Sequence, residues 1–440
     1  MDQTKNLAPK GHNRTRSAVK ATRPRSSTKG PLDIDDVPPA LAPPLSPQTA
    51  QPVVPLGQQP PRSPGLASPL PRSAAHSPIP RLPTPRPKDF SYLLRPEIYH
   101  PLTSLNVPPP FRASSKQPSP DTPIPELLAR GQFRAAAIAA TQALTGAGGT
   151  PAPDSTDHAR IFELLYTRLA CLTLIDATAL AAQEVKSLED LNSTFYTDEA
   201  TGLHLVPWEL RVLNVRLQAM GFGDPRRAVM SYYDLAREAR ARLADATARH
   251  DNSARELWKD RLADVGVRVA GALVEMDDLT GAAHHLASLK DRGDGKMAMA
   301  KALLWLHLGD VEAARRCVKP GELGQVAERT IAALCDMADG EYEAALAQWG
   351  ELKEQSEDEM IGVNMAVCLL YVGKMQEGKA LLESLVDSGR SSHTLLFNLT
   401  TMYELCTERA KALKIKLSEK MASTEESPSG WEKTNADFKL

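Results

Sequence analysis

The chain is 440 residues long, with 54 acidic and 52 basic side chains, a formal net charge of −2 at pH 7 and 42% hydrophobic residues. No stretch approaches 18 uncharged apolar residues, which argues against a membrane-spanning helix, and the N-terminus MDQTKNLAPKGHNRTR has no apolar signal-peptide core. Five scattered cysteines, Cys171, Cys317, Cys335, Cys368 and Cys406, lack the spacing of a zinc site or disulfide framework, so they read as small buried side chains in a reducing, cytosolic compartment.

The near-zero net charge conceals two polymers. Of 35 prolines, 29 lie at or before Pro125; residues 1–120 carry 16 Lys and Arg against 6 Asp and Glu, leaving 36 against 48 for the rest. Proline removes a backbone donor and holds its predecessor extended, so PPALAPPLSPQ and PIPRLPTPRPKD cannot sustain a helix or a central strand. Residues 1–87 are therefore expected to form a disordered basic arm. Ser46, Ser63, Ser68, Ser77, Thr84, Ser119 and Thr122 each precede proline and fit proline-directed phosphorylation, each phosphate subtracting about 1.5 to 2 charges. A basic arm can meet an anionic surface, but a solvated tail is the simpler reading and no nucleic-acid partner is expected.

Residues 88–120 are expected to be extended, with one apolar island carrying Phe90, Tyr92, Leu93, Leu94, Ile98, Tyr99 and Leu102, followed by Val107 and Phe111. Burying each such side chain is worth roughly 1.5 to 3 kcal/mol, so the island is predicted to dock, on this chain or on a partner.

From about residue 124 the pattern turns helical. GQFRAAAIAATQAL and GFGDPRRAVMSYYDL offer a turn and a second helix, while HARIFELLYTRLACLTLI and DATALAAQEVKSLEDL have helical apolar spacing. Residues 145–157 read as a loop.

Four segments then align as repeats: VAGALVEMDDLTGAAHHL, AKALLWLHLGDVEAARRC, IAALCDMADGEYEAALAQW and NMAVCLLYVGKMQEGKALL. Their turn residues Asp277, Gly309, Gly340 and Gly373 stand 32, 31 and 33 residues apart, close to the tetratricopeptide period of about 34. Seven positions before each turn stand Ala270, Ala302, Ala333 and Ala366; five after it stand Ala282, Ala314, Ala345 and Gly378. Small residues at fixed offsets let paired helices approach closely. The expected fold is all-α: a tetratricopeptide-type helical-hairpin solenoid over 124–420 behind a proline-rich arm, with 421–440 a flexible tail. Such a solenoid leaves an extended protein-binding face.

No nucleophile–base pair, phosphate cradle or metal-ligand spacing appears, so no catalysis and no cofactor is expected. His284 and His285 point about 100° apart on a helix and suit no metal pair. Trp305 and Trp349 are read as core. Solenoids that clamp the C-terminal carboxylate of chaperones resemble one another in Lys and Asn six and ten residues before the turn. Here those positions hold Gly271, Leu303, Leu334 and Val367, and Val267, Met299, Thr330 and Val363, which cannot build the clamp.

The strings VPWELRVLNVRL (206–217), NMAVCLLYVGKMQEG (364–378) and LLFNLTTMYEL (395–405) resemble the family of the twelfth subunit of the transport protein particle (TRAPP) tethering complex. The resemblance implies a non-catalytic scaffold subunit in endoplasmic reticulum to Golgi transport and autophagy. Its partners would be other TRAPP subunits, with an indirect link to a Rab-type small GTPase and a peripheral location at the intermediate compartment and Golgi. The alternative is a free adaptor with a phosphorylation-regulated arm, for instance in mitosis.

Overall fold

Among the described residues, every hairpin but the last closes with the same backbone device; at the last, Thr407 is extended with φ −159°. Asp277, Gly309, Gly340 and Gly373 all have positive φ, from +59° to +84°, and so do Gly131, Asp176 and Gly223 further upstream. A left-handed residue ends the first helix, and the next residue's N–H reaches back to a carbonyl of its last turn: Asp278 to Leu273, Asp310 to Trp305, Glu341 to Asp336 and Lys374 to Leu369, at 2.8 to 3.0 Å. In several turns that next residue is also the following helix's cap. Asp224, Asp278 and Asp310 each accept a hydrogen bond from a backbone N–H of the new first turn. Stop and restart signals thus occupy two adjacent residues, which keeps the hairpins tight.

A computed structural model of the chain describes residues 87–149, 151–290, 295–318 and 324–440. The chain divides into two units, Met1–Ile79 and Pro80–Leu440, and the described residues all belong to the second. Ser46, Ser63, Ser68, Ser77 and Thr84 lie outside them.

A single helical turn, α1 (Pro109–Arg112), precedes paired helices: α2 (Ile124–Ala129) with α3 (Phe133–Thr145), α4 (His158–Leu174) with α5 (Thr178–Glu184), and α6 (Trp208–Phe222) with α7 (Pro225–Ala248). Then come α8 (Asn252–Glu275) with α9 (Leu279–Ser288), α10 (Lys296–His307) with α11 (Val311–Cys317), and α12 (Gln325–Asp339) with α13 (Tyr342–Gln355). The series ends in α14 (Glu359–Tyr371) with α15 (Met375–Asp387) and α16 (His393–Cys406) with α17 (Ala410–Ser423). Among the described residues the fold is all-α; an isolated bridge pairs Thr197 with His204. Helices pack chiefly on their sequence neighbours, the behaviour of a stacked repeat array.

The small positions sit where helices touch. Ala270, Ala282, Ala302, Ala314, Ala333, Ala345 and Ala366 are all fully buried. A Cβ added to buried Gly378 would meet the Ala366 carbonyl oxygen at 3.1 Å, so the two small positions of one repeat face each other. Cys335 and Cys368, at equivalent repeat positions, each lie in a cluster that includes alanines of the preceding hairpin.

Three regions depart from the sequence reading. Residues 88–120, expected to be extended, wind into 3-10 turns at Ser91–Leu94 and Pro96–Ile98 and the single turn α1; the last two start on a proline, whose fixed φ suits a first helical position. DATALAAQEVKSLEDL is α-helical only to Glu184; Val185–Leu188 tightens into a 3-10 turn that, with Leu191, turns Val185 and Leu188 into the core. Residues 421–440 are not a flexible tail. Trp431 and Phe438 are buried with Val107, Phe111, Leu417 and Met421, because the chain after α17 folds back and brings both rings to the Phe111 side chain.

Candidate interaction surface

The apolar island is docked on its own chain. Phe90 is buried edge-on against Phe162 of α4 and Phe195, with ring centroids 5.0 and 5.2 Å apart, and its N–H donates to Ser155 O at 2.8 Å. Leu93 and Tyr99 are buried beside it, while Tyr92, Leu94, Ile98 and Leu102 are partly buried against the same core. The Tyr99 hydroxyl donates to Leu93 O at 2.6 Å, and burial pushes that phenol well above its ordinary range. Tyr92 and Tyr196 share a 2.6 Å hydroxyl contact.

One buried ion pair fixes where the strap, residues 88–123, leaves this island. Arg168 of α4 donates through Nε and Nη2 to Glu184 of α5 at 3.0 and 2.7 Å, with both side chains essentially inaccessible. Glu184 also accepts from His100 N at 2.8 Å, and Arg168 donates to His100 O at 2.8 Å. The pair therefore reads both sides of one peptide segment of the strap, leaving few lone pairs unused in a buried setting.

From there the strap runs to the other end of the array. Val107 and Phe111 enter the core formed by α14 to α17 and the folded-back tail. Lys116 Nζ donates to Ser423 O and Thr424 O at 2.8 and 2.6 Å; Asn435 N donates to Asn106 O at 2.7 Å; and Trp431 N donates to Gly131 O at 3.1 Å. Arg134 of α3 joins three segments at once, reaching Thr103 O, Asn106 Oδ1 and Glu432 Oε1 at 2.5, 3.2 and 2.6 Å. Arg130 and Gln132 both hold Glu426. Thus the first hairpin, the strap and the tail after the last hairpin form one clasp, and the two ends of the array are joined rather than open.

Ser119 is exposed and Thr122 half-buried in the strap just before α2. Deeper groups give little chemistry. Burial pushes the Cys171 thiol up to about 12 and the Cys368 thiol up to about 11, so neither is a nucleophile near neutral pH. His285 Nε2 lies 3.0 Å from Gly266 O, His284 is exposed, and Trp349 is buried with its Nε1–H on Met337 Sδ at 3.3 Å. Among the described residues no cluster of three or more His, Cys, Asp or Glu could hold a metal.

Apolar side chains do reach the surface at hairpin tips. Tyr371, 63% exposed, stacks on Tyr342 with centroids 4.3 Å apart, and Met375 and Leu279 are exposed at equivalent turns. Phe222 stands between Lys186 and Arg227, and Met220 and Met230 are exposed. A cavity of about 420 Å³ opens among α7, α8, α9 and α10, with Tyr233, Leu262, Val269 and Met297 on its walls and Arg240 and Lys290 also lining it. These features suit binding of other proteins, and none converges on a reactive atom.

One titratable group is built into the strap-bearing end. His204 is partly buried, with Nε2 2.9 Å from Leu191 O and Nδ1 accepting from Val206 N at 3.0 Å. Burial, reinforced by Arg211, lowers its pKa, so the folded chain prefers neutral imidazole. The associated stability is present above the unfolded value of about 6.5 and is lost as pH falls through the lower folded value. Amide protection in 191–206, measured against the intrinsic exchange rate at each pH, should therefore fall on going from about pH 7 into the acid range, and His204→Gln should flatten that response.

No protein-family model matches the chain. It is 24% identical over 316 residues to trafficking protein particle complex subunit 12 of mouse, covering 64% of this chain and 39% of that protein. The likeness is to a subunit of a trafficking protein particle complex. The human counterpart aligns equally, 24% over 316 residues, with 42% of its length covered. The chain thus spans about two fifths of the length of these relatives. Among solved structures, a tetratricopeptide repeat protein from Parabacteroides merdae aligns with a TM-score of 0.33 and 15% identity, over 58% of this chain and 98% of that one.

Proposed function

We propose that the chain is a non-catalytic scaffold subunit of a TRAPP-type vesicle-tethering complex, binding other subunits through its helical-hairpin array. The observation that carries this reading is the 316-residue similarity to trafficking protein particle complex subunit 12. On this reading the chain works in endoplasmic reticulum to Golgi transport and autophagy. It acts from the cytoplasm at the surface of the intermediate compartment and Golgi, held there by its complex, and any effect on a Rab-type GTPase passes through other subunits. Exposed aromatic and methionine side chains, Tyr371, Phe222 and Met230 among them, are of the types enriched at protein interfaces.

The test is native purification of the full chain from its own cells, followed by size separation and mass spectrometry. Co-elution with several other tethering-complex subunits is expected. A pool that is entirely monomeric would overturn the proposal and favour a free adaptor whose arm is switched by phosphorylation.

A further inference from the structure

The segment that closes the clasp, Glu425-Glu426-Ser427-Pro428-Ser429-Gly430, follows α17 without helical structure and carries a serine–proline step of its own. Ser427 is half-exposed, and its Oγ hydrogen-bonds with Ser429 Oγ at 2.6 Å. Its backbone, in contrast, is wedged into the clasp. A Cβ on Gly131 would stand 2.1 Å from Ser427 O, and the flanking residues Glu426 and Trp431 are the ones held by Arg130, Gln132 and Gly131. A partly exposed hydroxyl, held to its neighbour Ser429, thus stands where the tail is pressed against the first hairpin.

From this placement we infer that Ser427 is a site of proline-directed phosphorylation and that its modification opens the clasp. In the reaction Ser427 Oγ attacks the γ-phosphorus of a nucleoside triphosphate bound to a protein kinase. The Oγ–P bond forms, the bond to the β-phosphate breaks, the nucleoside diphosphate leaves, and the hydroxyl proton passes to the kinase's base. The product carries about two negative charges near neutral pH, beside Glu425 and Glu426. The cations that could absorb them are already engaged: Arg130 on Glu426, Arg134 on Glu432, Lys116 on the Ser423 and Thr424 carbonyls, and Lys433 on Gly430 O. Arg130 can turn to the phosphate only by releasing Glu426, and if it stays, phosphate and carboxylate repel. Either way the segment lifts from Gly131 and the Trp431 N–H loses its acceptor.

Full-length protein treated with a purified proline-directed kinase and magnesium ATP provides the test, with sites mapped by mass spectrometry and amide exchange followed at Trp431 and Asn435. Ser427→Ala, which removes no clasp contact, separates this site from those of the arm, and Ser427→Glu supplies part of the charge without the kinase. The expected result is phosphate on Ser427 and exchange at both amides faster by about tenfold or more. A smaller increase in the same direction is expected for Ser427→Glu, and none for kinase-treated Ser427→Ala. Phosphate on the arm with Ser427 untouched, or a modified Ser427 with unchanged or slower exchange, overturns the inference.

Discussion

Gly131→Ala should detach the tail from the first hairpin while leaving the array helical. Gly131 has φ +68°, a conformation that costs a residue with a Cβ about 1–2 kcal/mol. The new methyl would also stand 2.1 Å from Ser427 O and 2.7 Å from Gly430 Cα, both backbone atoms that cannot rotate away. Relieving such overlap typically costs about 1–3 kcal/mol, so the two effects together reach about 2–5 kcal/mol. Gly340→Ala is the control: its φ is +84°, but nothing lies within 4 Å of an added Cβ. It should show the conformational strain alone, about 1–2 kcal/mol. Denaturant midpoints of the two variants, with limited proteolysis after α17, measure the difference, which is the contribution of the clasp contact.

The second large effect is expected at the buried pair beneath the strap. Arg168→Met leaves Glu184 without its cation in a site where neither side chain reaches solvent, which typically costs about 3–5 kcal/mol. Because His100 N–H and C=O are both held by this pair, the loss should appear locally as faster exchange and proteolysis at residues 88–102. Arg168→Met combined with Glu184→Gln should be less damaging than Arg168→Met alone, since the amide oxygen still accepts from His100 N–H and no unpaired charge remains. A double variant no better than the single one would show that the ion pair is not what secures the strap.

The legible part of this fold was the part written in single residues. Asp277, Gly309, Gly340 and Gly373 announce the hairpins because a left-handed turn favours glycine or aspartate, and the buried alanines at fixed offsets follow from helix contact. Asp176 and His250 adopt the same left-handed conformation, but they stand outside the four aligned repeats, so no shared register points to them. The island at Phe90 stood out because aromatics are conspicuous among prolines, yet its docking partner did not, since Phe162 and Phe195 are distant in sequence. Arg168 and Glu184, on two different helices, become a pair only once α4 and α5 are packed; the one local hint is an arginine inside the apolar run LLYTRLACL.

The tail was misread for a related reason. SPSGWEKTNADFKL is rich in turn-forming and polar residues, and its two aromatic anchors, Trp431 and Phe438, find their cavity only against Phe111, more than 300 positions earlier. Local composition cannot report a contact of that range. The Ser427-Pro428 step is plain in the sequence; what local composition could not show is that it lies against Gly131.

The joined ends distinguish this molecule from an open solenoid, and amide hydrogen exchange on the unmodified full-length chain tests them most directly. Trp431 N–H on Gly131 O and Asn435 N–H on Asn106 O are the bonds that tie tail to hairpin and strap. Both amides should be protected to a degree comparable with the interior of α17, and both should lose that protection together in Gly131→Ala. Exchange at Trp431 and Asn435 as fast as in an unstructured peptide, in the unmodified chain, would contradict the clasp.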